Sequence, residues 1–354
     1  MTPPAVTDRP AGALRGGRLP RWFPLAVVAA SIVVAVAVGL GAGLRSTVQW
    51  GLIAALLAVV GTYVVAARVE GRRQARDRVA TSLVWLCFLV AVIPLASLIW
   101  ATLRRGVKVL DGYFLTHSMA QVADTEPGGG VYHALLGTLE QVGLATVIAV
   151  PVGVLTAVYL VEYGRGALAR AVTFFVDVMT GIPSIVAGLF VLSFWILILD
   201  MGYSGFAGSL ALAILMMPVV VRSTEEMLKL VPRELREASL ALGVPKWRTI
   251  LKVVLPTCLG GIVTGVMLSI ARVTGETAPV LLLVWGTNFI NANPFSDPQA
   301  SLPLFIYQQY ANSAGAGAAY DRAWAAALTL IAFVMILNLV ARGIARFTAP
   351  PSGR

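Results

Sequence analysis

Charge is scarce in this sequence of 354 residues: Asp, Glu, Lys and Arg make up 12% of it, while 58% is hydrophobic. Soluble domains carry about a quarter charged residues and are roughly half apolar, so an ordinary water-soluble domain is excluded. Cysteine is scarce. Cys87 and Cys258 lie in or beside apolar runs with no partner at metal-ligand spacing; they read as small core side chains and imply no disulfide framework. With two histidines, His117 and His133, and no His-Glu-x-x-His pattern, no metal site is expected. None of the four lysines follows a glycine, which rules out a Gly-x-x-x-x-Gly-Lys-Ser/Thr phosphate loop. No Gly-x-Ser-x-Gly elbow or paired carboxylates suggest an enzyme, so the chain is expected to be non-catalytic and to carry no cofactor.

What is there is long apolar runs. Crossing the hydrocarbon core takes about 20 apolar residues, and eight spans of that kind can be drawn: 24–44, 48–67, 79–103, 133–161, 171–199, 208–226, 258–284 and 323–344. The fold class is therefore all-α, a polytopic membrane helix bundle. The run from Phe23 is longer than a signal-peptide core and another span follows it, so it reads as the first helix. The net charge of +10 is not a nucleic-acid face, because twenty-one basic residues fall in tails and alternate loops on one side and five on the other. That asymmetry puts both termini in the cytoplasm, the basic tail before residue 24 included. The outer segments are then 104–132, with its Gly128-Gly129-Gly130, and 285–322, rich in aromatics such as Trp285, Phe289 and Tyr310. Pro94, Pro151, Pro183, Pro218 and Pro279 fall inside spans and are expected to kink them, facing protein or a water-filled path.

The most informative stretch is cytoplasmic, Pro232 to Pro256. It predicts two short helices and a turn: Pro232 and Pro245 suit first helical positions, and Gly243 suits the left-handed residue that closes the first helix. Leu235, Ala238, Ser239 and Leu242 share one predicted face; Trp247, Ile250, Leu251 and Val254 form a second apolar stripe. At Glu237-Ala238-Ser239, Gly243 and Leu255-Pro256 the loop resembles the signature of binding-protein-dependent permeases: Glu-Ala-Ala, three residues, Gly, nine residues, then Ile-x-Leu-Pro. Ser239 stands for the second Ala and Val253 for Ile. The resemblance implies that the loop docks into a groove on a separate ATPase subunit; an amphipathic surface loop is the plainer alternative.

Further segments narrow the resemblance: Ala149-Val-Pro-Val-Gly, Gly181-Ile-Pro-Ser-Ile-Val-Ala-Gly, Met217-Pro-Val-Val-Val-Arg-Ser-Thr-Glu-Glu-Met-Leu, and Ala271-Arg-Val-Thr-Gly-Glu-Thr-Ala-Pro. Together they are similar to phosphate-specific permeases of the PstA type, over about residues 79–344. The resemblance implies a six-helix importer core at 79–344, preceded by an extra hairpin and basic loop at 24–78 and followed by a short tail at 345–354. It also implies a sister permease subunit (PstC-like), ATP-binding subunits (PstB-like) that bind the ATP, and an extracytoplasmic phosphate-binding protein (PstS-like), all at the inner membrane and its lipid, with no nucleic acid.

Three charged residues mark a candidate substrate path. Arg222 lies about 21 Å into its span, and Arg272 and Glu276, four residues apart, are expected on one helix face. Charges at such depth cost roughly 2.5–3.5 kcal/mol each. The two arginines could offset the desolvation of phosphate, and Glu276 could hold an arginine or shorten the anion's stay. Against that, Arg222 could snorkel to the headgroups, and Arg272 and Glu276 could simply neutralise each other. Glu140 and Asp177 rank below them. A permease for another oxyanion, molybdate or sulfate, is the nearest alternative function; an ATP-independent secondary transporter is the alternative from another class.

Overall fold

The structure, a computed structural model, describes residues 19–20, 22–44 and 46–348. Most of the basic tail, and residues 349–354, lie outside the described residues. Fourteen α-helices and three π-helical turns are present among them, with no strand beyond one isolated bridge between Trp285 and Gln299. The chain is an all-α polytopic membrane bundle.

Two compact units divide at about residue 100. In the first, α1 (Phe23–Gly41) and α2 (Thr47–Val69) form an antiparallel hairpin. The indole of Trp50 closes it, donating to the Leu44 carbonyl at 3.1 Å. After α2 the chain turns into α3 (Arg72–Gly106), where Arg78 grips Glu70 through two hydrogen bonds of 2.5 and 2.7 Å.

The second unit is built on α5 (Tyr132–Val158) and α8 (Gly205–Leu230). Two-thirds of the apolar window of α8 is buried, against 22% in α5, so α8 is the central span. On α5, Ala145, Ala149, Gly153 and Ala157 recur every fourth residue and are all buried. Such a small-residue stripe lets helix backbones approach closely where lipid offers no hydrophobic drive, and Gly153 meets Val220 of α8. Gln141 of α5 likewise faces Gly208 of α8. Both pairs have the same sequence offset, so α5 and α8 run parallel. Whatever joins them must therefore return across the bundle.

That connection is the expected 171–199 span, and it is broken. The chain leaves α5 through a π-turn (Tyr159–Tyr163), forms α6 (Gly166–Thr180), bends by 108°, and resumes as α7 (Ser184–Val191) with a second π-turn (Leu192–Ile198). Pro183 is the cause. It has no N–H for the Met179 carbonyl, and it drives Ile182 out of the helical region. Counting the bent pair as one crossing gives eight, with seven single-helix spans.

The expected 258–284 span also differs. The helix begins earlier, as α10 (Lys246–Thr249) running through a π-turn (Ile250–Val254) into α11 (Leu255–Thr274), and it stops at Gly275. A separate short helix, α12 (Ala278–Leu283), follows with Pro279 in its first turn. The π-turn lies immediately before Pro256, whose missing N–H would otherwise serve the Lys252 carbonyl; a wider turn accommodates the ring. Pro94, Pro151 and Pro218 sit inside continuous helices.

Both connections expected on the outer side contain helix: α4 (Gly112–Thr116) in the first, and α13 (Leu302–Asn312), packed on α14 (Gly317–Thr348), in the second. Buried Arg322 organises them. Its guanidinium donates to Gln309 Oε1 (2.8 Å) and to the carbonyls of Glu126 (2.7 Å), Gly128 (3.1 Å) and Asp124 (2.8 Å). Glu140 is similarly committed, accepting from Gln299 Nε2 at 2.5 Å, while Gln141 donates to Gln299 Oε1 at 2.9 Å.

Candidate functional site: a charge ladder and a helix-pair lever

On α8, Arg222, Glu225 and Lys229 are spaced three and four apart, so they share a face. Arg222 Nη1 donates to Glu225 Oε2 at 2.7 Å, and Lys229 Nζ donates to Glu225 Oε1 at 2.7 Å. The other arm of Arg222, Nη2, bonds Asp177 Oδ1 on α6. Each terminal nitrogen of Arg222 thus already holds a carboxylate. The guanidinium keeps further N–H donors, and 31% of the side chain is exposed. Asp177 is the replaceable partner, since 61% of its side chain is exposed against 11% for Glu225. The ladder of two cations and two anions is formally neutral, which lowers its burial cost. Glu225 was not among the expected path residues, although its spacing from Arg222 and Lys229 is readable. The Asp177 contact joins residues 45 apart and has no local signal.

Arg272 and Glu276 do not share a helix face. The helix ends at Thr274, Gly275 caps it, and Glu276 sits in the break before α12. No hydrogen bond or ion pair joins either side chain to another described residue; Arg272 is exposed and Glu276 half-buried. The reason is again proline: Pro279 deprives the Gly275 carbonyl of its helical donor. Along α11, Gly261 packs on Met227 and Gly265 on Ser223, an antiparallel register with α8. Extended to Arg272, it sets that residue about six positions from Arg222, roughly 9 Å along the axis. The two arginines therefore stand at successive depths.

The Pro232–Pro256 segment forms the lever. Pro232 and Pro245 occupy N-cap positions, with ψ of 143° and 146°, one place earlier than expected, and α9 spans Arg233–Ala241. Gly243 adopts φ +77°. Around it Gly243 N–H bonds the Leu240 carbonyl (3.0 Å) and Val244 N–H bonds that of Ser239 (3.2 Å), the Schellman pattern that ends a helix. Ser239 Oγ lies 2.8 Å from Thr249 Oγ1, tying α9 to α10, and both residues are buried. The second helix is not short, because it continues into α11 and so joins the lever rigidly to a span.

The expected apolar stripes split. Ile250, Val254 and Ser239 turn inward, while Leu235, Leu242, Trp247 and Leu251 are exposed, Leu242 to 83%. Glu237, Ala238, Gly243 and Pro256 also face outward, and Leu255 is partly buried. Beneath α9, Arg236 makes contacts with no signal in the local sequence pattern. Its Nε donates to Glu162 Oε1 (2.9 Å), Nη1 to the Val231 carbonyl (2.6 Å) and Nη2 to the Leu228 carbonyl (2.8 Å). Lys246 Nζ bonds the Glu162 carbonyl and lies 4.7 Å from the centre of the Tyr163 ring.

A multi-pass bundle with a central charge ladder and a stiff external helix pair is the construction of a transport permease. The model of the family described as "Binding-protein-dependent transport system inner membrane component" matches residues 149–351, and the chain belongs to that family. Three relatives are phosphate transport permeases by name. The phosphate transport system permease protein PstA 1 of Mycobacterium tuberculosis (strain ATCC 25618 / H37Rv) is 54% identical over 279 residues, 78% of this chain and 90% of the relative. PstA of Mycobacterium leprae (strain TN) is 51% identical over 277 residues, again 78% and 90%. PstA of Haemophilus influenzae (strain ATCC 51907 / DSM 11121 / KW20 / Rd) is 37% identical over 271 residues, covering 76% of this chain and 94% of that one. Among solved structures, a chain of the MetNI methionine ABC transporter in an inward-facing conformation aligns with 62% of this chain and 95% of its own length, at 23% identity and a TM-score of 0.49.

Proposed function

We propose that this chain is the transmembrane permease subunit of an ATP-driven phosphate importer. The observation that carries the reading is 54% identity, over 90% of its length, to a permease named for phosphate transport. In this reading the protein lies in the inner, cytoplasmic membrane with both termini inside. The basic residues of the lever, Arg233, Arg236, Lys246, Arg248 and Lys252, then fall on the cytoplasmic side, as the positive-inside bias requires.

The chain pairs with a sister permease (PstC-like) to form the translocation path. An extracytoplasmic phosphate-binding protein (PstS-like) delivers the anion, and ATP-binding subunits (PstB-like) hold and hydrolyse ATP. The chain itself is not an enzyme and binds no cofactor. Its exposed Glu237, Ala238, Gly243 and Leu242 surface meets the ATPase, with Ser239, Leu255 and Pro256 shaping the lever behind it. Phosphate passes Arg272 and Arg222 in turn. At Arg222 it exchanges places with Asp177, so the guanidinium trades one anionic oxygen for another at little desolvation cost. Glu276, with no countercharge bonded to it among the described residues, repels the anion and keeps it from dwelling.

The test is labelled-phosphate uptake in cells lacking this chain, restored by wild type or by Arg222→Ala and Glu276→Gln variants. Wild type should restore uptake and both variants should lose it. Removing Arg222 takes away the cation that joins Asp177 to Glu225 and leaves Lys229 alone to balance Glu225, so its loss should be the more severe. Full uptake in both would remove these residues from the path, and failure of wild type to restore phosphate uptake would refute the function.

A further inference from the structure

We infer that Arg236 is the positioning residue through which movement of the lever reaches the central span, with Glu162 as its counter-anchor. The inference rests on the function proposed above and extends it from the docking surface to the inner face of α9.

The first observation is what α9 lacks. The apolar cluster under the lever draws on the ends of α5, α6, α8 and α11, with Leu228, Val231 and Val254 at its centre, and no residue of α9 belongs to it. Below α9 is an open cleft of about 490 Å³ bordered by Leu160, Glu162, Lys229, Arg233, Arg236 and Lys246. Hydrophobic packing therefore does not fix α9 to the bundle. Besides its chain joints to α8 at Val231–Pro232 and to α10 through Gly243, its side-chain bonds to the rest of the described residues are the Ser239–Thr249 bond and the three bonds of Arg236.

The second observation is where those bonds go. A helical carbonyl normally accepts from the N–H four residues on; for Leu228 that residue is Pro232, which has none. The Val231 N–H reaches the Leu228 carbonyl instead, at 3.3 Å; Arg236 Nη2 adds a second, shorter donor to it at 2.8 Å, and Nη1 takes the Val231 carbonyl at 2.6 Å. The guanidinium thus caps the end of α8 and bridges the joint between α8 and α9. Its Nε is held by Glu162, whose side chain is 7% exposed, at the end of the π-turn after α5. One planar group grips two parallel spans and the lever, and a rigid fork transmits a push that a single flexible contact would absorb. Along α8 the push arrives one turn below Glu225 and two below Arg222, the rungs of the charge ladder.

The sequence neighbours divide the work. Glu237 and Ala238 point outward and are free to meet a partner, whereas Arg236 points inward. A lever with its outer face free and its inner face bolted to the substrate helix has the geometry of a transmission.

The experiment uses the full complex, with ATPase and binding-protein partners, in proteoliposomes, and reads ATP hydrolysed against phosphate imported. Arg236→Lys and Arg236→Met should still assemble and hydrolyse ATP, while phosphate imported per ATP falls at least about tenfold, within the usual range of coupling energies. Glu162→Gln should lower the same ratio by less, because the carbonyl bonds survive. A wild-type ratio in Arg236→Met overturns the inference, and so does a parallel loss of hydrolysis and import at an unchanged ratio, the signature of mere structural support. If the Arg236 variants do not assemble, Glu162→Gln decides, and an unchanged ratio there overturns it. A wild-type complex that imports no phosphate would instead refute the function itself.

Discussion

Gly243 illustrates how one residue serves the lever. At φ +77° it sits where a side chain is strained by about 1–2 kcal/mol, yet no atom lies within 4 Å of where its Cβ would be. The penalty of substitution within this chain is therefore purely conformational. Gly243→Ala should destabilise the solubilised complex by about 1 kcal/mol in thermal unfolding, and Gly243→Asn by less, since Asn tolerates that region. Gly243→Asp should in addition lose uptake and weaken co-purification of the ATPase, because a charged side chain would project into the docking surface. Equal destabilisation by Ala and Asn would mean that backbone angle is not what selects glycine. At this scale the sequence was readable where chemistry is local. The glycine and both prolines announced their conformations within one residue, whereas Asp177, Glu162 and the carbonyl partners of Arg236 come from other elements.

Ser239 carries the same lesson to the level of elements. It departs from the family's second Ala, and the structure supplies the reason: its hydroxyl pairs with that of buried Thr249 and fastens α9 to α10. Restoring the family residue by Ser239→Ala should cost about 1–3 kcal/mol, because the Thr249 hydroxyl is left buried without a partner. Adding Thr249→Val should recover part of that loss in thermal unfolding of the complex, and a double variant no more stable than the single one would break the proposed link. Helix breaks were harder to read than helix caps. Pro183 and Pro279 mark interrupted elements while Pro94, Pro151 and Pro218 do not, and the difference lies in what surrounds each ring. Pro183 and Pro279 stand close after Gly181 and Gly275, whose loosely held backbone yields first; the other three are embedded in helix-forming apolar residues.

For the whole molecule, the decisive feature is the parallel course of α5 and α8, which requires the bent α6–α7 pair to cross the membrane. Reporter fusions at Gly164 and Gly202 should therefore appear on opposite sides. Arg165 and Arg170 flank the first position, and no Lys or Arg occurs between 171 and 221 to hold the second on the same side. Same-side reporters would make the pair re-entrant and would carry the lever to the wrong face for an ATPase. By itself the sequence determined the membrane class, the positions of the apolar runs and the existence of the lever, because hydropathy, charge bias and capping act over a few neighbouring residues. Only the tertiary structure decided which charges neutralise one another, where a span breaks, and how the lever is fastened. Those outcomes depend on side chains brought together from distant helices, which no single stretch of sequence contains.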